Sequence, residues 1–394
     1  MLARGRRLTG SGSVPEVPSS GRPAGLPADA PAPPRPLPPS RGTRYLMPPT
    51  NPGPSVPSPS VVCVGESMAV LVADGPGPLR SDSALRLTFG GAESNTAMTL
   101  ATLGHSTAWI SRVGADDLGR SLTAVVRSGG VDTSAVVTDP RRPTGLYLRQ
   151  PGGPGGHSRS SYYRRGSAAS ALGPDLLRDP RARRLLAGAE IVHLTGITAA
   201  LSDSCLALLR NLLARPRRYR VSFDLNWRPA LWQDRDPSVL RHLLDEADLV
   251  LMGADEAALA LGTGEPGELR ALLPSPGTLI VKDAEHHATA VERDGTSTTE
   301  PSLHVDVVEP TGAGDAFAAG CLAGVLRGLD ARRRLRLGHL AAAAALSTPD
   351  DFGTPPPPPA VATLLHSSPE DWAATTVTAA GIGTSTRAAD QCGR

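Results

Sequence analysis

"EPTGAGDAFAAG", residues 309 to 320, sets a turn of small residues, an acid and an alanine-rich run in that order. Gly312 and Gly314 read as a turn that must come close to something, and the chain from Ala316 onward reads as a helix. Asp315 sits at the junction. A helix starting near Ala313 leaves the backbone N–H groups of Gly312, Ala313 and Gly314 without intrahelical partners. Those donors, with the positive end of the helix dipole, suit an anion. No G-K-[ST] follows, so this is not a Walker A loop. A carboxylate among the donors would repel a resting phosphate, yet it could accept the proton of an alcohol about to attack one. The pattern therefore fits phosphoryl transfer to a hydroxyl. The same residues also read as an ordinary helix start with an acid in its first turn.

Outward from this stretch, short apolar runs alternate with helical ones. "VVCVG", "TAWISRVG", "EIVHLTG", "YRVSFDLN", "DLVLMG" and "GTLIVK" read as strands. "NTAMTLATLG", "DDLGRSLTAVVRSGG", "SCLALLRNLLA" and "RLRLGHLAAAAALS" are among the helices between and after them. Near-continuous apolar strands in alternation with helices predict an α/β fold, a mostly parallel sheet covered on both faces. Residues 70–89 and 143–165 break the rhythm with polar, Gly-rich and Tyr-bearing β-like segments. They read as a small appended sheet. Ligands in open α/β folds sit beyond the carboxyl ends of the strands, so such a sheet would act as a lid there.

Two more stretches could carry chemistry. "FGGAESN" places Gly90 and Gly91 directly before a helix whose first turn holds Asn95. Backbone without Cβ lets a ligand approach, and an Asn amide pairs with hydroxyls; a turn capped by Ser94 or Asn95 is the alternative. In "SRVGADDLG", Gly114 and Asp116 read as a turn and an N-cap. Together with residues 309–320, these motifs resemble the ribokinase (PfkB) family of carbohydrate kinases, in family order from about 61 to 353. The resemblance implies a three-layer αβα sandwich with a small β-sheet lid, and ATP and Mg²⁺ as cofactors. It implies Asp315 as catalytic base and the Gly312, Ala313 and Gly314 amides as anion hole.

One branch of the family is most similar. "TGLYLRQ", "SYYRRGSAASAL", "HLTGITAALS" and "DLNWRPALW" resemble the members that phosphorylate 2-keto-3-deoxygluconate. That substrate carries a carboxylate, which arginine grips through a fixed fork of donors. The matching substrate positions are Tyr147, Tyr162, Arg164 and Arg228, with Gly91 and Asn95 on the sugar hydroxyls. A neutral-sugar or nucleoside kinase, or a member that binds without turnover, stands as the alternative. On the nucleotide side Glu256 matches an acid that organises phosphates and metal, although Gly253 replaces a polar residue three positions earlier. "VKDAEHHA" matches a K-x-G-x-x-G segment: Lys282 is present, but Ala284 and His287 stand where glycines are expected. The metal ligands stay open, with Glu256 or Asp224 acting through water. Asp224 and Asn226, at a strand's carboxyl end, either order that water network or satisfy a turn. Adjacent His286 and His287 point apart in an extended strand and do not make a metal site.

Composition bounds the rest. The chain has 394 residues and a net charge of +2, which argues for neither nucleic acid nor an acidic surface. No apolar run reaches membrane-span length. Lys282 is the sole lysine among many arginines, so scattered arginines carry little functional weight. The four cysteines form no C-x-x-C pair, which fits a reducing cytoplasm. Residues 1–58 are Pro-, Ser-, Gly- and Arg-rich and predict a disordered extension without a secretory h-region; Met47 offers a later start. The kinase domain is expected over 59–372 and a flexible tail over 373–394. Partners are expected to be a sugar acid, ATP and further copies of the chain.

Overall fold

The computed structural model describes residues 58–152, 158–348, 353–378 and 381–384. The Pro-rich extension therefore lies, except for Ser58, outside the described residues. A nine-stranded sheet forms the middle layer. Its order runs Ser297–Pro301, His287–Glu292, Thr278–Asp283, Leu249–Gly253, Arg220–Asp224, Ile191–Thr195, Val61–Val64, Thr107–Ile110, Val131–Asp132. The first two are antiparallel to their neighbours and the rest are parallel. Alternation along each strand feeds two cores. Val61 and Cys63 face one helix layer, while Val62 and Val64 face the other. Helices on both faces complete a three-layer α/β sandwich, as the alternating pattern predicts.

The register lines up the carboxyl ends that matter. Thr195 pairs with Asp224 and Gly253 with Lys282, so these residues reach the same edge of the sheet. A separate four-stranded sheet is built from Leu85–Gly90, Met68–Ala73, Leu146–Gln150 and Arg159–Tyr163, in that order. One of its faces carries Met68, Val70 and Tyr147. "TAWISRVG" is not one strand: Thr107–Ile110 joins the main sheet, and Arg112–Gly114 turns away to pair with Val137–Asp139. Asp116 caps the next helix, accepting from Gly119 N at 2.7 Å and Thr144 N at 2.8 Å.

The chain expected to be loose beyond 372 is structured further. Thr375–Thr378 pairs with His304–Val305 and with Gly381–Thr384. Its anchor is Trp372, fully buried, whose Nε1 donates to Pro301 O at 2.9 Å. Arg336 stacks over that indole at 4.9 Å and donates from Nε to Glu300 at 2.9 Å. A polar composition hid this, because the strand's burial rests on partners far away in sequence.

The helix Ala313–Leu326 follows the TGAG turn, and its seat explains the alanines and glycines. It packs against Ala331–Leu346, and a Cβ on Gly320 would stand 2.3 Å from Leu337 O. One on Gly338 would meet Cys321 Sγ at 2.8 Å. Neither backbone can withdraw without moving the helix start that carries Asp315. Gly320→Val is therefore expected to destabilise by about 1–3 kcal/mol through overpacking, read as a lower midpoint in urea, with phosphotransfer falling in the fraction that remains folded.

Candidate active site

A cavity of about 990 Å³ lies between the carboxyl edge of the main sheet and the four-stranded sheet. Asp315 sits on its floor, in the first turn of Ala313–Leu326, with Gly312 as N-cap at φ +83°. That left-handed angle is the reason for a glycine there. Gly314 faces open space: a Cβ on it would meet nothing nearer than Lys282 Nζ at 3.6 Å. Ala313, between them, begins the helix. Gly312 and Gly314 line the cavity, whereas the Ala313 amide donates back to Pro310 O at 3.4 Å.

Two amide side chains hold the acid. Asn95 Nδ2 donates to Asp315 Oδ2 at 2.9 Å, and Asn226 Nδ2 to Oδ1 at 3.4 Å. Thr96 Oγ1 donates to the Asp315 carbonyl at 3.3 Å, which ties the two helices together. Burial pushes the Asp315 carboxyl up to about 6; the Asn95 hydrogen bond opposes this, nearby Asp224 adds to it, and Arg228 and Lys282 pull it down. Asn95, expected on sugar hydroxyls, is thus engaged with the acid itself. Its Oδ1 accepts from Gly91 N at 3.5 Å. Gly91 is required by the chain's own packing, since a Cβ there would lie 2.4 Å from Glu66 O. Asn226 adopts φ +41°, a conformation Asn tolerates better than most side chains.

The remaining predicted residues divide into two walls. Tyr147 and Tyr162 stand on the four-stranded sheet with ring centroids 5.2 Å apart, and Arg164 lies 5.8 Å from the Tyr162 ring. Opposite are Lys282, paired with Asp224 at 3.3 Å, and Arg228, paired with Glu256 at 3.1 Å. Among the described residues, no group of three or more His, Cys, Asp or Glu side chains converges on a metal site. His286 and His287 lie beside Glu285 and Asp283 respectively.

Two features escaped the sequence, and a third is a departure visible there that the backbone explains. Glu66, buried in the cavity's lining, holds Arg164: Nε donates to Oε2 at 2.7 Å, Nη2 pairs with the same oxygen, and Ser167 Oγ donates to Oε1 at 2.5 Å. Only the acid after a strand, in "VGES", hinted at it. Glu93, fully buried, accepts from Thr195 at 2.7 Å and Thr198 at 2.6 Å; burial raises its carboxyl to about 7. The third is Ala284. It sits at φ +39°, so the loop keeps the left-handed turn that a glycine would adopt freely.

This combination defines a class: an α/β sandwich that places an acid among helix-start amides, faced by tyrosines and arginines, is a site for phosphoryl transfer to a hydroxylated substrate. The chain belongs to the pfkB family of carbohydrate kinases, whose family description matches residues 58–354. It is 38% identical over 291 residues to 2-dehydro-3-deoxygluconokinase of Thermoproteus tenax, covering 72% of this chain and 87% of that protein. It is 34% identical over 301 residues to the enzyme of the same name from Bacillus subtilis, covering 73% and 90%. A crystal structure of a PfkB protein from Polaromonas sp. JS666 superposes with a TM-score of 0.64 at 33% identity, covering 73% of this chain and 95% of that one.

Left-handed backbone costs a non-glycine residue roughly 1–2 kcal/mol, against about 0.5–1 kcal/mol of extra chain entropy for Gly. Ala284→Gly is accordingly expected to stabilise the protein by up to about 1 kcal/mol, measured as the shift in urea midpoint. A midpoint that falls would show that the loop does not hold this turn in solution.

Proposed function

We propose that this kinase phosphorylates the terminal hydroxyl of a sugar acid, converting 2-keto-3-deoxygluconate to its 6-phosphate with ATP and Mg²⁺. The single observation that supports this most is the position of Asp315, between Asn95 and Asn226 on the floor of a cavity whose wall carries Tyr147, Tyr162 and Arg164. The names of the relatives that match over most of their length point the same way.

In this reading Asp315 takes the proton of the terminal hydroxyl. The freed oxygen attacks the γ-phosphorus in line, the bond to the bridging oxygen breaks and ADP leaves. The Gly312, Ala313 and Gly314 amides steady the charge on the transferring group. Tyr147, Tyr162 and Arg164 position the acid end of the sugar, with Arg228 on the opposite wall; Gly91 and Asn95 bound the sugar's hydroxyl side. Lys282 and Glu256 lie at the nucleotide end. The donor set fits magnesium in its usual form, since Glu256 and Asp224 are two carboxylates that could act through water beside the phosphates. When bound, the ion would neutralise phosphate charge.

The four-stranded sheet would serve as lid. Its opposite face leaves Leu85, Leu87 and Tyr163 exposed at 42%, 46% and 65%, an apolar surface suited to a second copy of the chain. Cys63, Cys205 and Cys321 are free and buried, with burial raising each thiol, in keeping with a cytoplasmic setting. No helix among the described residues is long and apolar enough to cross a membrane. A neutral-sugar substrate is favoured by one observation: both wall arginines already pair with the protein's own carboxylates. ADP release measured on 2-keto-3-deoxygluconate, its galactose-derived epimer, fructose and ribose decides; turnover on fructose or ribose alone overturns the acid-sugar reading.

Asp315→Asn is expected to lower kcat by roughly 10²- to 10⁴-fold while calorimetry still detects sugar binding. Normal turnover would remove Asp315 as base. Because the base acts ionised, kcat/KM should rise with pH up to about 6 and level off above. The same shift carries a stability sign. A carboxyl raised in the folded state binds its proton more tightly there than in the unfolded chain, so stability is lost as pH rises from 3.8 through about 6. Asp315→Asn should therefore melt at a higher temperature than wild type at pH 7.5, and this advantage should shrink towards pH 4.

A further inference from the structure

The two arginines nominated for the substrate carboxylate are both ion-paired, but in very different settings. Arg164 and Glu66 are buried, their side chains 9% and 0% exposed, with Ser167 completing the pair. Breaking a buried pair leaves an uncompensated charge and costs several kcal/mol, so that edge of Arg164 is committed. Its Nη1 alone has no partner among the described residues. The Arg228–Glu256 pair is 47% and 21% exposed, and a pair of that kind is worth about 0–1 kcal/mol. It exchanges partners at little cost. Glu256 has a second tie, with Gly253 N donating to Oε2 at 3.3 Å, which holds the carboxylate at its helix start. Arg228 is also close enough to lower the Asp315 carboxyl, so its charge reaches the reaction centre.

We infer that Glu256 is a specificity-determining placeholder: it occupies Arg228 in the free enzyme and gives it up to the carboxylate of the incoming sugar acid. This rests on the sugar-acid reading and deepens it. The exchange swaps one carboxylate for another on the same guanidinium and leaves Glu256 at its helix start without a cation, and no covalent step is involved. A neutral sugar has nothing to offer Arg228 and leaves the pair closed. Glu256 also lies where nucleotide and magnesium would draw on it. Nucleotide that claims Glu256 releases Arg228, so nucleotide and sugar acid should each favour the other's binding. Glu256 thereby links the two halves of the cavity.

The test is calorimetric and needs no turnover. The full-length protein is titrated with 2-keto-3-deoxygluconate, without and with Mg²⁺–ADP, and with fructose as the uncharged control. Glu256→Gln keeps the size of the side chain and removes its charge. The variant is expected to bind the acid about two- to fivefold more tightly than wild type when nucleotide is absent, the range an exposed pair spans. Mg²⁺–ADP should tighten acid binding in wild type and add nothing in Glu256→Gln, and fructose affinity should not change. Arg228→Gln should weaken acid binding and remove the response to nucleotide. Unchanged or weaker acid binding by Glu256→Gln, with its melting temperature retained, overturns the placeholder role while leaving the substrate reading intact. Wild type that binds fructose or ribose but not the acid overturns the substrate reading, and the inference falls with it.

Discussion

A half-buried carboxylate at a helix start constrains everything around it. Asp315 needs hydrogen bonds to remain ionisable near neutral pH, and Asn95 and Asn226 supply them from two different segments. Those segments must therefore sit still relative to the helix that carries the acid. Thr96 bonds the Asp315 carbonyl, and Gly320 and Gly338 let the helix settle against its partner at backbone contact. The same burial that makes the carboxyl a better proton acceptor, by raising it to about 6, works against folding at neutral pH. The tight helix seat offsets that cost with contacts that have no catalytic task.

The fold was largely visible in the chain because its signals are local. Alternating apolar strands and helices need no partner to be recognised, and the TGAG turn marks its helix start by composition alone. The site was visible only where a residue type is itself informative. Asp315, the scarce tyrosines and the single lysine stand out, and the structure brings them to one cavity. Glu66 does not stand out, since its importance comes from being enclosed with Arg164 across 98 residues of chain. Asn95 was recognised as a site residue, but its hydrogen bond to Asp315 was not, because that partner lies 220 residues away. The strand Thr375–Thr378 was missed likewise, because its burial depends on His304–Val305 and on the Trp372 anchor.

Ala284 is a different kind of discrepancy. Its side chain stands where the expected pattern has a glycine. The loop holds the glycine-like turn and accepts the strain, with φ at +39°. His287 begins the antiparallel strand opposite Asp283, and its Nδ1 lies 3.7 Å from the Asp283 carboxylate across the hairpin. The departure thus falls on local strain at the loop, and the neighbouring Lys282 keeps its contact with Asp224.

Charge pairing also bears on how such a cavity tells substrates apart. Cationic and carboxylate side chains line it in equal number, so its net field offers an anion no strong attraction. Selectivity must then come from which pairs can reopen. A buried pair such as Arg164–Glu66 gives shape: it fixes a guanidinium beside Tyr162 and does not respond to ligand. An exposed pair such as Arg228–Glu256 gives choice, because each alternative partner need outbid only a small energy. A site with free arginines would hold any anion, inorganic phosphate and nucleotide included. An arginine already held by the protein's own carboxylate admits only a ligand whose carboxylate arrives at the right place, and that discrimination comes at the expense of raw affinity.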